Sequence, residues 1–302
     1  MEKIKTQRFL MEFLLQQGNV SAIEKRAVMH AAMLIDAKIV QHGSSFLSTT
    51  ACPIGSVEFV KGHMEKCGIA IPDHMTYPSC LRRFMGRSIA QMSWGSAKEM
   101  GDVFVKPRND VKKFTGALVR DLVSSPEMPK LPDDYPVWVS EPVQFVSEWR
   151  YYVLHGIAII GQGRYDDGDD SAPRPDIGIV LDAVRVMVEN GDAVAGYALD
   201  FGVTQTGETI LVEVNDGWAL GYYRNDNSEE SLCHVDYARL LHARWSEIAG
   251  LHHSENEFSF PASASSPALY AAQFQNFQEP ETRPGCQHPQ IGPALPLTSP
   301  AA

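Results

Sequence analysis

The stretch Ala198–Asn215 constrains this chain more than any other, because it sets Asp200, Glu213 and Asn215 at the ends of two apolar strands joined by a tight turn. Residues 197–203 are mostly apolar and aromatic, Thr206-Gly207 supplies the turn, and Ile210 to Val214 resume the strand. Side chains two apart on a strand share a face, so Glu213 and Asn215 point the same way. Pairing across the Gly207 turn brings Asp200 alongside them. Two carboxylates and an amide oxygen form an all-oxygen cluster, the hard-ligand chemistry that suits Mg²⁺ bridging phosphates. A solvated hairpin with acidic ends fits the same letters.

Composition sets the frame for that choice. A chain of 302 residues, 44% hydrophobic, buries a substantial core and has room for about two domains. No apolar run approaches the roughly 18–20 residues that cross a bilayer. The start, Met1 to Arg8, leads into a helical pattern and does not read as a signal peptide. Cys52, Cys67, Cys80, Cys233 and Cys286 are scattered and include no C-x-x-C pair. That predicts reduced thiols in a cytoplasmic setting and no structural zinc. A formal net charge of −11 argues against holding nucleic acid by bulk electrostatics, although a few local lysines suffice for a triphosphate.

Patterning divides the chain into three parts: 1–100, 101–254 and 255–302. The first reads as mainly helical. Phe9, Leu10, Phe13 and Leu14 share a helical face that Gly18 ends, and Ser21 with Glu24 matches a capping box. Pro53 to Val60 reads as a turn into a helix that Gly68 stops, Ile69–Ile71 as a short strand, and Tyr77-Pro78 as the entry to a helix carrying Arg82, Arg83 and Arg87.

The middle part mixes strands and helices in an order that implies an α+β fold rather than a parallel doubly wound sheet. Strands are expected at 103–106 and 136–140, a hairpin at 149–161 around His155-Gly156, and a helix over 177–188 stopped by Asn190-Gly191. Neither G-x-G-x-x-G nor a Walker A loop is present. The last part holds eight of the 19 prolines and many Ser, Ala and Gln, a composition that predicts disorder. Its Phe258, Phe260, Tyr270, Phe274 and Phe277 leave a docking motif open as the minority reading.

Taken in order, these pieces resemble the ATP-grasp superfamily of carboxylate–amine ligases across roughly 100–217. The segments 53–60, 77–78 and 112–116 are similar to a small branch found in bacteria and phages, related to the ribosomal-protein glutamate ligases. The resemblance implies an ATP-grasp fold, two α+β subdomains gripping ATP, at 101–254. It makes Lys106, in Val-Phe-Val-Lys-Pro, a phosphate contact, and Lys112 to Gly116 a loop closing over the phosphates, with Lys112 or Lys113 facing them.

By the same match Ser140-Glu-Pro-Val143 is the hinge, where the Val143 main chain holds adenine and Glu141 closes the pocket. Glu148 then accepts from the ribose hydroxyls, and Arg150 faces the γ-phosphate or acyl-phosphate. Arg164 is a weaker candidate for the same cleft. Asp200, Glu213 and Asn215 take the places of the superfamily's magnesium ligands. The first hundred residues do not read as the Rossmann-like unit that usually precedes such a domain.

The expected activity is an ATP- and Mg²⁺-dependent ligase joining a carboxylate to an amine, each from a small molecule or a peptide. A phosphotransferase on the same fold and a non-catalytic nucleotide-binding interaction module remain open. Oligomeric state is not legible, and the acidic run Asp166–Asp170 reads as a solvated loop.

Overall fold

A computed structural model of the protein describes residues 11–41, 47–109, 113–165, 172–223 and 231–251. Three small sheets carry these segments. The first is built from β1 (Glu12–Leu15), α1 (Ala22–Ile35), β2 (Lys38–Gln41), β3 (Ala51–Ile54) and α2 (Val57–Lys66). Its strands are parallel in the order β2-β1-β3.

This corrects the helical reading of the N-terminal part. Residues 12–15 form a strand, and Phe9 and Leu10 lie outside the described residues. Phe13, Leu14 and Leu15 are all buried, so the run is apolar on both faces, as a covered parallel strand requires. Over so few residues, periodicity cannot separate such a strand from a buried helix. The unit β1–α1–β2 is a βαβ crossover, so the region is α/β rather than mostly helical.

The capping box also fails to form. Ser21 sits at φ 50° and its side chain caps nothing, while Glu24 turns to the main-chain N–H of Tyr222 at 3.3 Å. Lys25 takes over the loop, donating from Nζ to the carbonyls of Gln16 (2.9 Å) and Gly18. Pro53 belongs to the edge strand β3, where its missing N–H costs no ladder bond. The helix that follows is as expected: Ser56 Oγ accepts from Phe59 N, and Gly68 at φ 68° lies just past its end. Residues 69–71 are irregular rather than a strand.

The second sheet follows a 3-10 turn, Ser79–Phe84, which replaces the expected basic helix and leaves Arg87 beyond it. It comprises β4 (Ile89–Ser93), α3 (Trp94–Lys98), β5 (Phe104–Pro107), β6 (Ala117–Leu118), α4 (Val119–Ser124) and β7 (Pro136–Ser140). The strands are antiparallel in the order β4-β7-β5-β6. The third sheet holds β8 (Phe145–Leu154), β9 (Ala158–Arg164), α5 (Ile177–Glu189), β10 (Gly196–Thr204) and β11 (Thr209–Asp216), with α6 (His234–Ile248) after it. Its order is β11-β10-β8-β9, antiparallel throughout.

Alternation on β8 sorts the two cores. Trp149, Tyr151 and Val153, with Leu199 and Phe201, pack on Val180, Val184 and Met187 of α5. Tyr152, Leu154 and Ala198 turn the other way, toward Tyr237, Leu241 and Trp245 of α6 and the core of the first sheet. Both faces of the third sheet are therefore covered along most of its length. Among the described residues no helix is long and apolar enough to cross a membrane.

One glycine locks the connection that follows β11. On β9, a Cβ at Gly163 would lie 2.1 Å from the carbonyl oxygen of Tyr223, a main-chain atom with little freedom to move. Gly62, inside α2, has open space around it. Gly163→Ala is expected to lower unfolding free energy by about 1–3 kcal/mol, and Gly62→Ala to raise it by about 0.5–1 kcal/mol. Urea denaturation of both variants checks the pair, and equal effects would contradict this packing.

Candidate active site

Three paired strands set a row of charge across one face of the third sheet. Arg150 on β8 is directly opposite Asp200 on β10, and Asp200 is directly opposite Glu213 on β11. Directly paired residues project to the same side. Asn215 stands two residues beyond Glu213 on that side, and a bulge between Asp200 and Phe201 marks where the register shifts. Lys106 reaches the row from β5 of the second sheet.

The contacts within the row are dense. Arg150 donates from Nε to Asp200 Oδ1 at 2.8 Å and from an η nitrogen to Oδ2 at 2.7 Å, a two-pronged pair. Both residues are under 10% exposed. Lys106 is ion-paired with Glu213 Oε2. Asn215 Nδ2 donates to Asp200 Oδ2 at 2.9 Å and to Glu213 Oε1 at 3.1 Å. The ring of Tyr223 covers the Arg150 guanidinium at 4.5 Å, and the ring of Tyr77 lies 4.7 Å from Lys106 Nζ.

Burial works against charge here, and the neighbours decide the outcome. At Arg150 burial opposes the charge, but the Asp200 carboxylate overcomes it and the guanidinium is held charged. Burial pushes the Asp200 carboxyl above the usual range, against the pull of Arg150. Burial also works to raise Glu213, yet the Lys106 ammonium wins and holds it below the usual range. Lys106 mirrors this: burial lowers it, and Glu213 pushes it above the usual lysine value.

The row forms part of a cleft of about 530 Å³. Lys106, Arg150, Glu213 and Asn215 line it, as do Phe114, Thr115 and Gly116 of the expected closing loop. Gly116 lets that loop run close to β5: a Cβ there would lie 3.0 Å from Lys106 Cβ. Lys112 and the acidic run 166–170 lie outside the described residues, as does the tail 255–302.

The hinge residues stand apart from this cleft's lining. Glu141 accepts from Ser88 N at 3.0 Å, and Val143 follows β7 in an irregular segment, 141–144. Glu148 shares the face of Arg150, two residues away on β8, opposite Gly202. Arg164 pairs with Trp149, so the register sets it on the face opposite Arg150. Strand alternation read through the hairpin could have shown that much in the sequence.

Other participants left no such signal. Tyr223 reaches Arg150 because its segment is fixed from several sides. Its N–H donates to Tyr152 Oη at 2.7 Å, and Tyr152 in turn donates to Gly221 O at 2.9 Å. The segment 74–77 runs beside β11, with Thr76 O accepting from Val214 N at 3.0 Å. Arg87 donates to the carbonyls of Leu211 (2.8 Å) and Val212 (3.0 Å) on the same strand.

The donor set suits a hard divalent cation. Asp200 and Glu213 offer carboxylate oxygens from neighbouring strands, and a turn of the Asn215 amide presents its oxygen beside them. Among the described residues no group of three or more His, Cys, Asp and Glu could hold a metal, so the amide is needed to complete the trio.

A lysine on one antiparallel sheet facing an Arg–Asp–Glu row on another, across an open cleft, is the architecture of the ATP-grasp class. Residues 84–231 match a family described as an ATP-grasp domain, family 2 of its clade, and the chain therefore carries an ATP-grasp domain of that family. No curated protein matches the sequence at a significant level. Among solved structures, the D-alanine–D-alanine ligase of Bacillus anthracis is 12% identical, with 80% of this chain and 99% of that one covered at a TM-score of 0.47. A RimK domain ATP-grasp protein of Sphaerobacter thermophilus is 15% identical, with 80% and 100% covered at 0.46. The ATP-grasp ligase PsnB, complexed with a minimal precursor, is 13% identical, with 78% and 99% covered at 0.45.

The Arg150–Asp200 pair gives a stability test. Arg150→Met leaves a buried carboxylate without its cation and is expected to cost about 3–5 kcal/mol at neutral pH. Arg150→Met with Asp200→Asn recovers a large part of that loss. In the single variant the Asp200 carboxyl is raised further. Its destabilisation is therefore smallest below the unfolded value of about 3.9 and grows as pH rises through the folded one. Urea titrations between pH 4 and 8 measure it, and a pH-independent loss would contradict the assignment.

Proposed function

We propose that this protein is an ATP- and Mg²⁺-dependent carboxylate–amine ligase working through an acyl-phosphate. The observation that carries the reading is the row Arg150–Asp200–Glu213 with Lys106 paired across the cleft. Two cations and three oxygen donors converge at one place, which is what a triphosphate with its metal needs.

In this reading Lys106 and Arg150 bind the phosphates, and Asp200, Glu213 and Asn215 hold Mg²⁺. The metal, when bound, offsets charge as the γ-phosphoryl group moves. Glu213 then exchanges Lys106 for the metal, freeing the ammonium for phosphate oxygens. Arg150 keeps its prongs on Asp200 and presents the remaining η nitrogen, whose protein partner, Gly221 O, is a distant 3.4 Å. The Val143 main chain takes adenine with Glu141 beside it, and Glu148 takes the ribose hydroxyls. The loop carrying Lys112 and Gly116 closes and excludes water. Arg164, on the other face of the sheet, has no part in this scheme.

The chemistry is two transfers. A substrate carboxylate oxygen attacks the γ-phosphorus, and ADP leaves with the electrons of the broken P–O bond. The amine nitrogen then attacks the acyl carbon, and phosphate leaves with the electrons of the broken C–O bond. An ammonium that becomes an amide nitrogen sheds two protons, to water and to the departing phosphate. Neither transfer needs a nucleophilic side chain, because positioning and charge neutralisation supply the catalysis.

The test is an ADP-release screen of carboxylate and amine pairs, followed by mass spectrometry. ADP formation is expected to require both partners and to yield an amide. Hydroxylamine in place of the amine is expected to yield a hydroxamate. Glu213→Gln and Asp200→Asn, chosen because each keeps the side chain's shape, are expected to lower kcat by about a hundredfold or more. Stoichiometric phosphorylated product without amide would favour a phosphotransferase, and full activity in Glu213→Gln would remove the metal assignment.

A further inference from the structure

The cleft contains a carboxylate whose charge no described residue matches. Glu24, Glu213 and Asp216 all line it. Glu213 is paired with Lys106, and Asp216 takes two nitrogens of Arg244 at 2.6 Å each. Glu24, on α1, has among the described residues a single neutral partner, the main-chain N–H of Tyr222 at 3.3 Å. The cation beside it in sequence, Lys25, is buried and committed to the carbonyls of Gln16 and Gly18.

Aromatic rings surround the same place. Tyr223 follows the residue that Glu24 contacts, and its ring meets that of Tyr165 edge to face at 5.4 Å. Both tyrosines line the cleft. The Arg150 guanidinium already covers the Tyr223 ring at 4.5 Å, which ties this corner to the phosphate end of the row. An unmatched carboxylate beside electron-rich ring faces selects a cation, by ion pairing and by attraction to the ring quadrupole.

We propose that Glu24, Tyr165 and Tyr223 form the amine subsite, and that it takes its substrate as a primary alkylammonium. The proposal rests on the ligase reading. It adds that the second substrate is recognised by its positive charge, from a wall supplied by the N-terminal sheet. Lys106 and Arg150, from the other two sheets, grip the anionic partner, so the charges of the cleft sort the two substrates to opposite ends of the forming bond.

Equilibrium binding separates the two claims. The probe is n-butylammonium, with n-butanol as its neutral counterpart, and the protein is full-length and loaded with Mg²⁺ and a non-hydrolysable ATP analogue. Saturation-transfer NMR is expected to show saturable binding of the ammonium and much weaker binding of the alcohol. Glu24→Gln, which keeps an acceptor for Tyr222 N, is expected to weaken the ammonium by about tenfold or more. Glu24→Asp, which keeps the charge, is expected to recover part of that loss. Thermal melting and the affinity for the ATP analogue are expected to be unchanged in Glu24→Gln. Equal ammonium affinity in wild type and Glu24→Gln, or no saturable binding to the loaded wild type, overturns the subsite. Failure of the wild type to bind the analogue at all would instead overturn the ligase reading.

Discussion

The two-pronged pair between Arg150 and Asp200 is the interaction on which the site depends. It joins β8 to β10 through side chains at a place where the main chains are already directly paired. Each group alone would be costly to bury, and together they let a charged row stand within a sheet whose neighbouring positions are aromatic and apolar. Asn215 links Asp200 to Glu213, and Lys106 fastens Glu213 to the second sheet. Without a ligand, the cations and carboxylates neutralise each other. A metal–nucleotide complex brings its own charges of both signs, so pairs can exchange while few charges are left unmatched.

The surroundings hold that row from several directions. Tyr152 sits beside Arg150 on the sheet and fixes the 221–223 segment, which returns Tyr223 onto the guanidinium. Gly163 allows that segment to lie against β9. At the end of β11, Arg244 of α6 holds Asp216, the residue after Asn215, through two bonds of 2.6 Å. Along the outer edge of β11 lie Thr76 and Arg87, both bonded to its main chain. The strand that carries two of the three oxygen donors is thus fastened along its edge and at its end, which suits groups that must keep their positions while charge moves.

Legibility followed the range of the interactions. The hairpin of β10 and β11 was readable because the turn chemistry at Gly207, the strand alternation and the chemistry-bearing residues coincide within twenty residues. The hairpin at His155-Gly156 and the helix Ile177–Glu189 were readable for the same reason. The strand Glu12–Leu15 was misread, since four residues buried on both faces leave no period to count. The capping box at Ser21 failed because Lys25 and Tyr222 compete for the groups it would have used. Local propensity is a weak prior against such contacts.

By itself the sequence determined an α+β chain, an acidic hairpin with an amide two residues after a carboxylate, and a lysine ending a short strand before it. Those are properties of composition, alternation and turns, and they travel with the letters. Only the tertiary structure decided that the N-terminal part is a parallel sheet, that Arg164 faces away from Arg150, and that Tyr223 and Glu24 enter the same cleft. Each of these rests on pairing between distant segments, where strand register selects the face and burial selects the partner. A register shift of one residue would send every one of those side chains to the other side of the sheet.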